Sequence, residues 1–261
     1  MNRHRRLARM LEIVSERSQL SVDEAVAELG VSPATVRRDL DQLSQQQLVT
    51  RTRGGVVAAN TALDLPLRYK AGRRAAEKER IAKRVVQRIP PGSVVGLNGG
   101  TTALAVAQAI ALEKAFHAEP GQTGVTVVTT ALNIATELAV RPHVKVVVVG
   151  GVVRSRSYEV LGPLADRMLD VISLDVAVLG VDAVDAREGA MAFDEGEAAT
   201  NALLAARADT VMIAADSTKL GSRVFARILP VEDIDVLVTD SEASSEVVDD
   251  FRDAGVDVVT S

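Results

Sequence analysis

Two groups of residues in this sequence have the types and spacing to do chemistry. The first is Ser32-Pro33-Ala34-Thr35-Val36-Arg37-Arg38-Asp39-Leu40. On a helix, Ser32, Thr35 and Arg38 fall on one face at i, i+3 and i+6, and Val36 and Leu40 fall on the opposite face. A guanidinium can fork onto guanine or clamp a phosphate, and a threonine can reach a phosphate or a thymine methyl. Downstream, Arg51 and Arg53 flank Gly54-Gly55, a tip suited to backbone contact or minor-groove insertion. This pattern makes Ser32, Ala34, Thr35, Arg37, Arg38, Arg51, Arg53 and Gly54 the candidate DNA-contacting residues. An isolated Arg-Arg pair is more often the solvated face of an ordinary capped helix. Here an upstream helix, a glycine turn and a wing stand in the right order around it, and their agreement favours DNA.

The second group is Asn98-Gly99-Gly100-Thr101-Thr102, which follows an apolar run and opens a helical one. Successive glycine amides form a concave anion nest, and a helix N-terminus adds positive partial charge. A tight strand-to-helix turn with a threonine cap would look the same in isolation. Similar residues recur after the next apolar runs, at Thr129-Thr130 and Gly150-Gly151. In open parallel sheets ligands bind beyond the carboxyl ends of strands, where all three segments fall. Asp182, Glu197 and Lys219 follow later strands or open a helix, so they join the candidate pocket. Carboxylates there would accept sugar hydroxyls, and Lys219 would hold a phosphate or pair with a carboxylate. Each of these three, alone, reads better as a cap or a surface charge.

These residues need elements to hold them. Leu7, Met10, Leu11 and Val14 give residues 3–17 helical spacing. Ser21 with Glu24 three residues on is a capping box, and the helix it starts stops at Gly30. Ser32 caps a third helix with Pro33 at its first position. Residues 48–57 read as two short β segments around a tip. Together these specify a winged helix-turn-helix over residues 1–57. Asn60, Pro66 and Gly72 interrupt residues 58–75, which read as a linker. Nine Lys/Arg between 68 and 88 read as the solvated face of a helix with Ile81, Val85, Val86 and Ile89 inward. From 93 onward, apolar runs at 93–97, 125–129, 144–149, 175–180, 210–215, 235–239 and 256–259 alternate with helical stretches at 101–112, 131–140, 160–172, 195–207 and 242–254. This alternation specifies a doubly wound, mostly parallel-sheet α/β domain over 76–261. Val146-Val147-Val148-Val149, apolar on both faces, reads as a central strand.

Composition narrows the function classes. The chain has 261 residues, 47% of them hydrophobic, with 2% aromatic and no Trp. Single-strand binders that stack bases on aromatic platforms lose weight. Zero cysteines exclude disulfides, thiolate zinc sites and cysteine nucleophiles. Three scattered histidines leave no metal site, and no cofactor is expected. The net charge of −5 argues against nucleic acid until it is divided: residues 1–56 carry +2 and residues 57–261 carry −7. Local charge is what DNA meets. The basic start lacks an apolar signal core and no run reaches spanning length, so the expectation is a cytoplasmic protein away from membranes.

The Ser-x-x-Thr-x-Arg-Arg-Asp-Leu stretch at 32–40, followed by Arg53-Gly54-Gly55, resembles the DeoR family of bacterial sugar-metabolism regulators, and the resemblance continues to about residue 240. It departs from the family at Gln47, where a glycine is usual. The resemblance implies a repressor of a carbohydrate operon, bound to double-stranded operator DNA and relieved by a phosphorylated sugar. The family's C-terminal domain is similar to ribose-5-phosphate isomerase. That likeness sets Gly180-Val181-Asp182-Ala183 on the enzyme's catalytic Asp segment, Glu197 (or Glu195) near its catalytic Glu, and Lys219 on a shared Asp-x-x-Lys turn. A further lysine that the enzyme carries is missing from 186–191, which argues for phosphosugar binding without turnover. The alternative is a sugar-phosphate isomerase-like enzyme with an accessory DNA-binding domain. Symmetric operators pair with symmetric proteins, so a homodimer or homotetramer is expected.

Overall fold

The computed structural model describes residues 1–58, 65–70, 72–117 and 124–261, and its internal contacts divide the chain into two compact units, Met1–Arg73 and Arg74–Ser261. Of the stretch read as a linker, Asn60 and the rest of 59–64, with residue 71, lie outside the described residues.

The first unit runs α1 (Arg3–Arg17), β1 (Gln19–Ser21), α2 (Val22–Leu29), α3 (Pro33–Gln45), β2 (Val49–Arg51), β3 (Gly55–Ala58) and α4 (Leu67–Lys70). The local signals act as their chemistry dictates. The Ser21 hydroxyl accepts from the Glu24 amide while the Glu24 carboxylate accepts from the Ser21 amide, closing the capping box. Gly30 ends α2 in the left-handed conformation at φ 63°. Ser32 then caps α3 on the Thr35 amide, with Pro33 in the first turn. Leu7, Met10, Leu11 and Val14 pack on Val36, Leu40 and Leu43 in one core. β1 was not legible as a strand. It pairs antiparallel with β3, giving the sheet order β1-β3-β2. Gly55 permits this, because a Cβ there would stand 2.2 Å from the Leu20 carbonyl oxygen. Gln47 adopts φ 57°, a left-handed conformation that explains why a glycine is usual before the wing. α4 lies within the stretch read as linker, and Leu65 and Tyr69 are buried in this unit's core.

The second unit begins with α5 (Ala75–Val86), whose Ile81, Val85 and Val86 are buried as the charge pattern required. There follow β4 (Val94–Leu97), α6 (Thr101–Leu112), β5 (Val125–Thr129), α7 (Leu132–Leu138), β6 (Val144–Val148), β7 (Val152–Val153), β8 (Val160–Leu161), α8 (Pro163–Leu169) and β9 (Leu174–Gly180). The chain continues through β10 (Ala183–Asp185), β11 (Gly189–Ala192), α9 (Glu195–Ala206), β12 (Ala208–Ala214), β13 (Ala226–Leu229), β14 (Val236–Thr239), α10 (Ser245–Asp253) and β15 (Asp257–Thr260).

A seven-stranded parallel sheet has the order β15-β14-β12-β9-β4-β5-β6. Side chains alternate across it, as strand geometry requires. Val176, Val178, Met212 and Ala214 meet α5, α6 and α7 on one face; Leu179, Val211 and Ile213 meet α8, α9 and α10 on the other. The chain leaves β4 in one direction toward β6 and returns to β9 on β4's other side. The order therefore reverses between β4 and β9.

Two expectations need correction, and one element is new. β6 is an edge strand, with Val146 and Val147 half-buried and Val148 42% exposed, so its apolar run does not mark a central position. The helix read over 160–172 starts only at Pro163, because Val160 and Leu161 pair antiparallel with Val153 and Val152. A small sheet, β10-β11-β13, packs beside the parallel one and was not read from the sequence; its strands are three or four residues long, too short to show a period.

Candidate functional site

In the first unit, α3 buries Val36, Leu40 and Leu43 and leaves Ser32, Ala34, Arg37 and Arg38 exposed, with Thr35 half-exposed. The Ser32 and Thr35 hydroxyls lie 3.0 Å apart, so the start of α3 presents an ordered polar edge beside Arg38. Arg53 and Gly54 stand exposed at the tip of the β2–β3 wing. Arg51 differs from them. Its guanidinium donates to Asp41 at 2.8 Å and to the Gly55 carbonyl at 3.1 Å, ties that stiffen the root of the wing.

One residue of this region carries more than the sequence suggested. Asp39, 2% exposed, receives Arg6 of α1 at 2.5 Å, with exposed Arg3 at 3.4 Å. Its carboxylate locks α3 onto α1, across 33 residues of sequence. No local spacing announces such a pair, although a buried acidic residue next to two exposed arginines on one helix is a signal in itself.

In the second unit the candidate residues Asn98 to Thr102 follow β4 at the point where the strand order reverses, the position at which α/β sheets bind ligands. Asn98, 1% exposed, closes the seam there: its amide nitrogen donates to the Gly180 carbonyl and its amide oxygen accepts from the Gly180 N–H, both at 2.8 Å. Gly99 and Gly100 lead into α6, with Gly100 at φ 112°. Thr101 is half-exposed in the first turn. Thr102 is 1% exposed and its hydroxyl oxygen has no hydrogen-bond partner, a buried polar group facing unmet demand.

Thr129 and Thr130 are fully buried at the end of neighbouring β5. The Thr129 hydroxyl accepts from the Ala131 amide and so shapes the turn. Thr130 meets Glu159 Oε2 at 3.3 Å. From the other side, Asp182 accepts from the Phe193 amide, and Lys219 donates to the Val181 carbonyl, bringing its ammonium to the Gly180–Asp182 turn. Glu197 is buried in the first turn of α9, whereas Glu195 is exposed. Gly150 and Gly151 do not join this group. Both are exposed, the Gly150 amide faces Met168 Sδ at 3.4 Å, and the pair launches the β7–β8 hairpin.

That hairpin delivers two residues the sequence reading missed. Arg154 donates to Asp194 at 3.0 Å and to Glu197 at 2.9 Å. Glu159, 3% exposed, lies against Gly99 and Thr130. Burial pushes the Glu159 carboxyl up to about 8, assisted by the charges of Glu197 and Asp182 and opposed by the Gly99 amide and the Thr130 hydroxyl. Contacts made over 29 to 43 residues leave no local sequence trace. The start of α6 with the unpartnered Thr102 hydroxyl thus stands on one side of this group, and carboxylates bridged by Arg154 on the other.

Known proteins share both halves of the chain. Residues 6–62 match a family described as the DeoR-like helix-turn-helix domain, and residues 73–241 one described as the DeoR C terminal sensor domain. The glycerol-3-phosphate regulon repressor of Escherichia coli K12 is 30% identical over 232 residues, 89% of this chain and 88% of that protein. The HTH-type transcriptional regulator GlpR of Haloferax volcanii is 31% identical over 255 residues, 97% of this chain and 96% of its own. Among solved structures, ribose 5 phosphate isomerase A from Neisseria gonorrhoeae is similar over 54% of this chain and 52% of that one, at 20% identity and a TM-score of 0.38.

Proposed function

Because the chain belongs to the DeoR family of transcriptional regulators, we propose that it represses a carbohydrate-metabolism operon and that a phosphorylated sugar modulates its grip on the operator. The relatives regulate transcription and the matched C-terminal region is a sensor domain, so the chain is a regulator and not an enzyme. DNA is held by the α3 face of Ser32, Ala34, Thr35, Arg37 and Arg38, with Arg53 and Gly54 of the wing on the backbone or minor groove and Arg51 bracing them. The effector phosphate sits on the amides of Gly99 to Thr102 at the start of α6, and Asp182, Glu197 and Lys219 read the rest of the molecule.

The observation that carries the effector half is the buried, unpartnered Thr102 hydroxyl at a helix N-terminus on the switch point of the sheet. A relative named for glycerol 3-phosphate supports a small phosphorylated polyol or sugar. Two half-sites require two recognition helices, which supports a homodimer or homotetramer. The exposed valines of the β6 edge and the β7 strand, Val148, Val152 and Val153, are a surface suited to that association. Effector binding would shift the population away from states whose paired DNA-binding units match the half-site spacing. No helix among the described residues is long and apolar enough to cross a membrane.

The test is fluorescence anisotropy of an operator fragment taken upstream of the protein's own gene, titrated with and without a panel of phosphorylated sugars. Tight binding released by one compound is expected. Tight binding that no compound alters would remove the sensing half, and absence of specific binding would remove the operator half.

A further inference from the structure

The nest at the start of α6 already holds a carboxyl group of the same chain. A Cβ built on Gly99 would meet Glu159 Cγ, Oε1 and Cδ at 2.4, 2.5 and 2.6 Å. The glycine at 99 is therefore required by the Glu159 side chain that lies on it. The Gly99 amide lowers the proton affinity of this carboxyl, and the Thr130 hydroxyl donates to its Oε2 at 3.3 Å. Glu159 occupies the first of the amides an incoming anion would use, and it is buried there at 3% exposure. In the first turn of α6 the buried Thr102 hydroxyl has no partner.

Glu159 is flanked by other carboxylates. Asp182 faces it from the turn after β9 and Glu197 from α9, both raising its proton affinity. Arg154, on the same hairpin, donates to Asp194 and Glu197. Lys219, from the turn after β12, donates to the Val181 carbonyl. A charged Glu159 and a phosphate or sulfate dianion on adjacent amides would repel at close range in a site of low dielectric.

We propose that Glu159 is the specificity-setting stopper of this pocket: its carboxyl holds the nest while no ligand is bound, and a dianion seats only against a protonated Glu159, so that binding at alkaline pH takes up a proton. This rests on the anion-site reading given above and adds a pH term to it. The term opposes the ionisation of the ligand itself. A phosphate ester binds better as it loses its second proton near neutrality, while the stopper releases the nest only while protonated, which confines tight binding to a window around neutral pH.

Sulfate is the probe, because its charge stays at −2 throughout the range. Calorimetric titration of the full chain with sulfate is compared at about pH 7 and about pH 9. For a group with a proton affinity near 8, affinity should fall about tenfold between them. Glu159→Gln should abolish this dependence and bind sulfate about tenfold more tightly than the wild type at the higher pH. Should that variant fail to fold, the wild type alone suffices: titrations in buffers of different ionisation enthalpy must register close to one proton taken up per sulfate at the higher pH. Thr102→Val locates the signal and should weaken it. Sulfate binding that Thr102→Val weakens, but that is flat in pH and without proton uptake, overturns the stopper and leaves the nest. Binding that ignores Thr102→Val, or no binding by wild type and Glu159→Gln alike, overturns both.

Discussion

Replacing Asp39 with alanine tests whether the recognition helix is held by one ion pair. The Asp39 side chain is 3% exposed and that of Arg6 is 11% exposed, so removal of the carboxylate strands a nearly buried guanidinium. Breaking a buried pair from one side costs about 3–5 kcal/mol. Arginine has a long stem and can swing its head toward water, which places this case at the lower end, about 3 kcal/mol. Arg3 contributes little, being 63% exposed and 3.4 Å away. A loss of 3 kcal/mol lowers the folded-to-unfolded ratio roughly a hundredfold. In a unit of this size it would lower the melting temperature by roughly 12–24 °C. Hydrogen exchange on the full chain is the assay, read on peptides covering α1 and α3, with Asp41→Ala as control. Asp41 is 54% exposed on its pair with Arg51, and its loss should stay within about 1 kcal/mol. Protection of α3 should fall roughly a hundredfold in Asp39→Ala and stay near wild type in Asp41→Ala, with α6 unaffected in both. If the two variants lose α3 protection equally, the Arg6–Asp39 pair does not anchor the helix and the argument fails.

Other outcomes follow from the same structure. Arg38→Ala should weaken operator binding by about 1–3 kcal/mol, read by anisotropy, with sugar-phosphate affinity unchanged; an unaltered operator affinity would take Arg38 off the DNA face. Lys219→Ala should flatten the dose response of operator release, and an unchanged curve would remove Lys219 from the pocket. His143 is held below its ordinary proton affinity in the fold by burial and by His117 at 4.5 Å. Its unfolded form binds more protons once the pH drops below about 6.5, so stability should decline from there toward the folded value. Urea midpoints of wild type and His143→Phe between about pH 7.5 and 5 would expose this, and parallel curves would refute it.

The sequence by itself determined the local devices and the broad plan. The Ser21–Glu24 capping box, the Ser32 cap with Pro33, the left-handed Gly30 and the inward face of α5 are set by residues within one or two turns of each other, so their types and spacing are sufficient. The repeating apolar runs from residue 93 fixed a doubly wound parallel sheet for the same reason. Family resemblance marked position 47 as unusual, and the left-handed backbone of Gln47 supplies the reason.

Tertiary structure alone decided which runs became neighbours. The valines of β6 sit at an edge because sheet order depends on where each crossover lands, and no run of apolar residues encodes its own rank in a sheet. The candidate site shows the same division. The strand-to-helix turn at Asn98 to Thr102 was legible because it is built from consecutive residues. Arg6 on Asp39, Arg154 on Glu197 and Glu159 on Gly99 were not, since each joins side chains 33 to 60 residues apart whose meeting is fixed only once the elements have packed. A buried charge finds its partner through that packing, and these long-range pairs set how firmly α3 is held and what stands in the nest.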